Sequence, residues 1–422
     1  MTPQTGLSPA LPIGSRLNER GRLEIGGCDT LELARTYGTP AYVVAEPDLR
    51  MRPRTFLQAA RAAHEDMQVV FAAKAFPCTA VLRLFAQEGL WCDVASGGEL
   101  HLALHAGFAP ERIVLHGNAK SESELRTALE RRVGLIVVDN FDEIDRLERL
   151  GARDQEVLIR VTPDVRGDTH DHISTGQADS KFGFAMADAS AAIARIESVA
   201  GLRLVGLHAH IGSQLLELDP FRREVSELAG LGDFPVWDLG GGLGVRYTAD
   251  QPAPPSIEQY VQTLAGAAHE HGMGMASGRR LLIEPGRALT ANAGVTLYTV
   301  ESVKQNVSRW VGVDGGMSDN LRPMLYGARY EAHVVDRMGG HTECVLAGKH
   351  CESGDVIVRH ALLDDPRPDD VIVTPATGAY GYAMASNYNG VPRPPVIFCA
   401  DGRARVVVRR ETLDDLTVRD VG

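Results

Sequence analysis

Eight short aliphatic runs, each stopping abruptly at a polar residue or a glycine, recur through the middle of this chain and constrain its fold more than any other feature. They are VVFAAKAF (69–76), LWCDVAS (90–96), IVLHGNAK (113–120), LIVVDN (135–140), VLIRVTP (157–163), LVGLHAHIGSQ (204–214), VWDLGGGLG (236–244) and LLIEPGR (281–287). Amphipathic stretches such as TAVLRLFAQEG and SESELRTALERR lie between them. Near-continuous apolar strands alternating with helices make a parallel sheet covered on its faces. Eight such units predict a (β/α)8 barrel over residues 45–288, with a doubly wound open sheet as the alternative. From about 290 the pattern changes to short β-like runs (VTLYTVESVKQ, YEAHVVDRM, ECVLAGKH, DVIVTPA, ARVVVRRE) broken by Gly, Pro and Asp turns. Residues 289–422, joined by the strand-like runs in 1–44, are expected to form an antiparallel β-domain built from both chain ends.

At 422 residues the chain is long enough for two domains. A net charge of −12 with no basic stripe argues against a nucleic-acid partner. The six cysteines (Cys28, Cys78, Cys92, Cys344, Cys351, Cys399) show no C-x-x-C pair, which favours reduced thiols. The opening MTPQTGLSPALPIGSRL lacks a signal-peptide layout, and no apolar run approaches membrane-spanning length. The expectation is a cytoplasmic protein with no membrane partner.

In a (β/α)8 barrel the site gathers at the C-terminal ends of the strands. Those ends are Lys74, Asp93 with Ser96, His116 with Asn118, Asp139, Arg160, His210 with Ser213, Gly240 to Gly244, and Glu284 with Arg287. Lys74 ends an apolar strand, where desolvation would lower its pKa and suit it to carbonyl condensation; a solvated strand-end lysine is the plainer alternative. The glycines of DLGGGLG would admit a phosphate to the backbone or simply make a tight turn. Glu284 would hold a heterocyclic nitrogen protonated, with Pro285 and Gly286 fixing its loop and Arg287 available to a substrate carboxylate, unless the two charges only pair with each other. His210 would stack on a flat cofactor or serve as a core histidine. Taken jointly, an amine, a phosphate cradle, a stacking imidazole and a carboxylate for a ring nitrogen are what pyridoxal 5'-phosphate (PLP) requires.

These motifs, with KHCESGD, DGGMSDNLRPMLYGARY and TGAYGYAMASNYNG further on, make the chain resemble the fold-type III PLP-dependent decarboxylases over nearly its whole length. Within that family RPMLYGARY and HCESGD are similar to actinobacterial members acting on meso-2,6-diaminopimelate. The resemblance implies decarboxylation of that compound at its D-centre to L-lysine and CO2. It implies that Lys74 carries PLP, that His210 stacks on the ring, and that Ser213, Gly241 and Gly242 lie by ring and phosphate. Glu284 would face the pyridine nitrogen, Gly286 and Arg287 would line the cofactor, and Tyr380 would touch cofactor and substrate. Arg287, Arg322 and Tyr326 would grip substrate carboxylates. Cys351 would return a proton to the substrate carbon and Glu352 would recognise the distal ammonium, both reaching a neighbouring active site in a homodimer. Cys344 is expected only to fill the β-domain core.

Relatives acting on ornithine, arginine or a carrier-bound glutamyl group lack a second amino-acid head to occupy Arg322, Tyr326 and Glu352 together. A racemase of the alanine type would place a tyrosine where Cys351 stands, and a non-catalytic PLP carrier would need no β-domain. The stretch 163–184 resembles a substrate-closing loop, in which His170 and His172 are expected to be solvated. Leu321 replaces a proline common among relatives.

Overall fold

The computed structural model describes residues 6–163, 165, 180–274 and 278–422. Two compact units divide the chain: Arg52–Gly244 with Pro254–Ala288, and Met1–Met51 with Val245–Ala253 and Leu289–Gly422.

In the first unit eight strands run in chain order: β1 (Met67–Ala72), β2 (Trp91–Val94), β3 (Ile113–Leu115), β4 (Leu135–Val138), β5 (Gln155–Thr162), β6 (Leu202–His208), β7 (Val236–Asp238) and β8 (Arg280–Ile283). Each pairs in parallel with the next. β8 then pairs back onto β1, Leu281 opposite Met67 and Ile283 opposite Val69, so the sheet closes. Closure rules out the doubly wound alternative, which keeps two free edges. Val70, Val114, Leu135, Val137, Leu158, Val205, Val236 and Leu282 form one buried cluster of strand residues. Branched side chains buried on both faces of each strand give the near-continuous apolar runs seen in the sequence.

The helices after β2, β3 and β4 begin at polar residues that follow the apolar runs. Ser96 caps α1 (Gly97–Ala106) by accepting from Glu99 N. Ser121 forms a capping box with Glu124 at the head of α2 (Glu122–Arg131), and Asn140 caps α3 (Phe141–Arg149). Ser96 therefore satisfies orphan helix N–H groups and leaves the reactive list. The short strand Phe184–Ala185 pairs with the end of β5. His170 and His172, and most of the anticipated loop 163–184, lie outside the described residues.

In the second unit the central strand is β9 (Gly294–Gln305), which pairs antiparallel with Ala41–Ala45, with β10 (Arg309–Val313) and with β13 (Val371–Pro375). Between them come β11 (Thr342–Ala347) and β12 (Val356–Leu363), an antiparallel pair. β14 (Val396–Ala400) and β15 (Arg403–Val408) complete the edge. Both chain ends enter the sheet, as expected. Two pairings are parallel, β10 with β11 and Ala41–Ala45 with β14, because long connections return those strands in the same direction. Cys344 is buried, as its core assignment requires. Among the described residues no helix is long and apolar enough to cross a membrane.

Behind β3 and β4 lies a buried ion pair, Lys120 Nζ to Glu143 Oε1 at 2.7 Å, with both side chains almost fully enclosed. The ammonium also donates to Gly117 O and Val137 O, so its three N–H bonds are taken. Burial pulls the lysine pKa down and pushes the Glu143 pKa up, and their mutual attraction opposes both shifts. Removing one partner strands the other charge. Lys120→Met should cost about 3–5 kcal/mol in a denaturant melt, whereas the double variant Lys120→Met/Glu143→Leu should recover much of that loss. Equal costs for the two variants would show that the pair is not the source of the destabilisation.

Candidate active site

The C-terminal ends of the barrel strands bring together Lys74, Asp93, His116, His208, His210, Asp238 and Glu284. β1 ends in a one-turn 3-10 helix, Ala73–Ala75, that lifts Lys74 out of the sheet. Ala73 and Ala75 are buried and Lys74 is exposed. The expected desolvation of Lys74 by protein atoms is therefore not present; its surroundings are electrostatic instead, since its charge acts on Asp93, Glu99 and His210. Gly286 lets the loop after β8 pack on this turn: a Cβ there would sit 3.1 Å from Ala72 Cβ and 3.2 Å from Ala75 Cβ. The β8 loop thus supports the lysine turn directly.

Glu284 is buried just past β8. His208 Nε2 lies 3.2 Å from its Oε2, and His116 Nε2 lies 2.6 Å from its Oε1. Burial alone would raise the Glu284 pKa, but the contacts with His116 and His208 outweigh it and hold the carboxyl well below the usual range. Asp238 answers in the opposite direction: burial and then the Glu284 charge push it well above the usual range, so of the two carboxyls Glu284 is the anion. His208 is pulled down to about 3, chiefly by burial, and is neutral. Arg160, also buried, is the nearby permanent cation acting on Asp93, Asp139, Asp238 and Glu284.

His116, His208, Asp238 and Glu284 offer ligand atoms within 4.8 Å of one another. Two donors on one tetrahedral ion at ordinary bond lengths stand about 3.3 Å apart. The 2.6 Å separation of His116 and Glu284 is shorter than that and is a hydrogen-bonding distance. The contact is close but poorly directed, so Glu284 Oε1 remains a buried acceptor without a well-aligned donor.

His210, half-buried beyond β6, accepts a hydrogen bond at Nδ1 from Gly241 N–H at 3.2 Å, which fixes its ring and puts the remaining proton on Nε2. Gly240 has φ 57° and Gly242 φ 126°, both in the left-handed region. A Cβ at Gly241 would lie 2.1 Å from Glu284 O, and one at Gly242 2.7 Å from Gly212 O. The glycines are needed for the backbone to pack here at all, so a tight turn and a cradle are the same structure. Arg287, buried at the start of a short helix, donates from Nη2 to Ser213 Oγ at 2.8 Å. An amine, a flat imidazole, an unfilled buried acceptor and a side-chain-free loop fit PLP: Lys74 for its aldehyde carbon, His210 for its ring face, Glu284 for its nitrogen and Gly240–Gly242 with Ser213 for its phosphate.

The β-unit carries the other candidates. Arg322 opens the short helix Arg322–Tyr326, is buried, donates to Tyr330 Oη and lies over the Tyr247 ring at 4.6 Å. Tyr326 is four residues on, hence on the same helix face. Leu321 has φ −71°, the value a proline ring would impose, so its substitution costs no backbone geometry. Tyr380 holds φ 62°, a strained conformation for an aromatic residue, and lies within electrostatic range of Arg322. Cys351 and Glu352 occupy the turn between β11 and β12. Asp355 ties that turn down by accepting from Met317 N at 2.7 Å, His350 N at 2.9 Å and His350 Nδ1 at 2.7 Å. Cys351 N donates to Asn389 Oδ1 at 2.9 Å. Cys351 is exposed and the other five cysteines are buried.

Sequence reasoning gave His208 and Asp238 no role and His116 no partner. The signal was present: each lies within a quoted strand-end motif, and the first histidine of HAH and the aspartate of DLGGG fall on the last residues of β6 and β7.

Residues 52–291 match the family of pyridoxal-dependent decarboxylases at its pyridoxal-binding domain. The whole chain is 46% identical, over 98% of its counterpart, to a diaminopimelate decarboxylase of Actinosynnema pretiosum subsp. auranticum. It is 44% identical to that of Bacillus subtilis, covering 96% of this chain and 97% of the other. The crystal structure of the diaminopimelate decarboxylase of M. jannaschii in complex with L-lysine superposes with a TM-score of 0.91 at 31% identity, covering 97% of this chain and 98% of that one.

Because folded His208 stays neutral down to about pH 3 while an unfolded histidine takes a proton near 6.5, its contribution to stability is complete above 6.5 and declines as pH falls below that value. His208→Gln has no proton to gain. Relative to that variant, wild type should lose about 2 kcal/mol between pH 7 and pH 5, read from urea midpoints. Parallel pH profiles would mean that His208 is charged in the fold.

Proposed function

The chain belongs to the diaminopimelate decarboxylase family of pyridoxal-dependent enzymes, and we propose that it removes the carboxylate at the D-centre of meso-2,6-diaminopimelate, leaving L-lysine and CO2. The observation that carries this reading is the pairing, in one barrel mouth, of exposed Lys74 beyond β1 with a buried anionic Glu284 beyond β8. When bound, PLP supplies an electron sink for the pair of electrons that the departing CO2 leaves behind.

The chain's own residues bind, orient and move protons. Lys74 holds the cofactor covalently, His210 supports its ring face, and Glu284 keeps its nitrogen protonated. Ser213, Gly241, Gly242, Gly286 and Arg287 line it, with Tyr380 beside cofactor and substrate. Arg287, Arg322 and Tyr326 take the substrate carboxylates; the fixed guanidinium fork suits bidentate binding. Cys351 Sγ delivers the proton to the carbon that has lost CO2, and Glu352 pairs with the distal ammonium. Selectivity follows because a substrate without the second amino-acid head leaves these charged groups unmatched.

Cys351 and Glu352 act on the neighbouring subunit of a homodimer in this reading. Its support is the exposure of Met324 and Leu325, each 47% accessible, beside the Cys351 turn. A Cβ on Gly354 would lie 3.5 Å from Met324 Cγ, so the apolar pair and the turn form one surface. The chemistry needs no membrane or nucleic acid and suits the reduced thiols of a cytoplasmic enzyme.

The deciding experiment supplies PLP-loaded protein separately with meso-diaminopimelate, L-ornithine and L-arginine and follows CO2. Release from meso-diaminopimelate alone, with L-lysine formed, is expected; turnover of ornithine or arginine instead would overturn the substrate assignment. Cys351→Ala should lower kcat about 100- to 10,000-fold while the cofactor still binds. As the exposed cysteine, Cys351 should take up one equivalent of a thiol reagent in the folded protein, and substrate should slow that uptake.

A further inference from the structure

The mouth of the barrel buries two carboxyls side by side, and the reaction needs only one of them as an anion. Glu284 and Asp238 follow or end adjacent strands, β8 and β7, and both are enclosed. Two carboxylates sharing a buried site cannot both ionise, so one keeps a proton. Which of them does so is set by what surrounds each. Glu284 is flanked by imidazoles from two other strand ends, His208 at 3.2 Å and His116 at 2.6 Å. Their rings meet edge to face, 4.7 Å between centroids, so each braces the other. His116 Nε2 is also 3.8 Å from Asp93 Oδ1, which links β2 to the group. Asp238 has a backbone donor, Gly240 N–H to Oδ1 at 3.1 Å, and leaves Oδ2 without an acceptor-type bond from any N–H. A proton on that oxygen has the neighbouring Glu284 carboxylate to donate to.

We propose that His116, His208 and Asp238 are positioning residues that fix Glu284 as the anion of the Glu284–Asp238 pair and keep an oxygen of it available to a protonated ring nitrogen. The inference rests on the reading of Glu284 as the partner of the cofactor nitrogen. The directions of titration agree with it, Glu284 being held low while Asp238 is held high and His208 stays neutral. The other charged groups acting on this set are Arg160, Lys74, Asp93 and, from the helix Asp219–Ala229, the fully buried Glu224. Burial and the Glu284 charge both push Glu224 upward, so it adds no second anion.

The arrangement separates a proton-donating role from a charged one, and conservative variants distinguish the two. Asp238→Asn copies a protonated carboxyl by offering an N–H, and His208→Gln keeps an N–H donor, whereas Asp238→Ala and His208→Phe keep neither. The readout is the 15N chemical shift of the ring nitrogen in protein loaded with 15N-labelled PLP, together with the PLP dissociation constant. Asp238→Asn and His208→Gln should keep the nitrogen protonated at pH 8 and bind PLP within about threefold of wild type. Asp238→Ala and His208→Phe should move the shift toward the unprotonated value and weaken PLP at least tenfold, a change of about 1.4 kcal/mol. If either alanine or phenylalanine variant fails to fold, the conservative pair decides: loss of protonation in Asp238→Asn would show that Asp238 is needed as an anion and would overturn the proposal. A nitrogen that stays protonated in both Asp238→Ala and His208→Phe would overturn it equally. Glu284→Gln is the reference. If that variant leaves the nitrogen protonated, the reading of Glu284 itself has failed; if it does not, while the neighbours have no effect, only the present inference has.

Discussion

The hydrogen bonds between β8 and β1 are the constraint from which the site follows. Until Leu281, Leu282 and Ile283 pair with Met67, Gln68 and Val69, the eight strands are an open sheet whose first and last members are its two far edges. Closure makes neighbours of the two ends of the barrel sequence. It brings the turn that carries Lys74 against the loop that follows Glu284, with Ala72 N–H donating to Pro285 O at 3.3 Å. The turn that carries Lys74 and the loop that follows Glu284 are thereby held together by main-chain bonding. Closure also leaves neither β1 nor β8 as a free edge, so the main chain of every barrel strand is paired on both sides.

Burial at the mouth then sets the chemistry. An enclosed carboxylate is costly, and the cost is tolerated where several donors converge on it. Here the contacts come from His116 and His208 at the ends of β3 and β6, so that the protonation of Glu284 depends on residues distant in sequence. The Lys120–Glu143 pair is a contrasting case: a closed pair whose lysine has its three N–H bonds taken by Gly117 O, Val137 O and Glu143 itself.

The architecture of the barrel was legible in the sequence because strands buried on both faces must be apolar throughout, and their ends were legible because the pattern breaks there. What each end does was not equally visible. Asp93 and Ser96 stand three residues apart, yet Asp93 lies within β2 beside His116 and Ser96 caps the helix that follows. Lys74 stands at the strand end, as FAAKAFP suggests, but in a single turn of 3-10 helix that the motif does not announce and that leaves it exposed, not desolvated. His208 and His210 look alike in HAHIGSQ; that His208 ends β6 and faces Glu284 while His210 lies beyond the strand is visible only in the structure. In the β-unit, composition announced strands, but the two parallel pairings depend on connections that no local run encodes.

The close packing around Gly240, Gly241 and Gly242 has an evolutionary consequence. Any side chain at Gly241 would overlap the main chain at Glu284, whatever ligand is present. Folding alone therefore imposes the absence of side chains here, and the proposed phosphate cradle asks for the same thing. On the proposed roles of Lys74 and Cys351, a descendant of this chain that had lost its cofactor and its catalysis would drift at those two positions well before it drifted at the glycines. Retention of the triple glycine in such a lineage would record ancestry in the fold and carry no information about surviving activity.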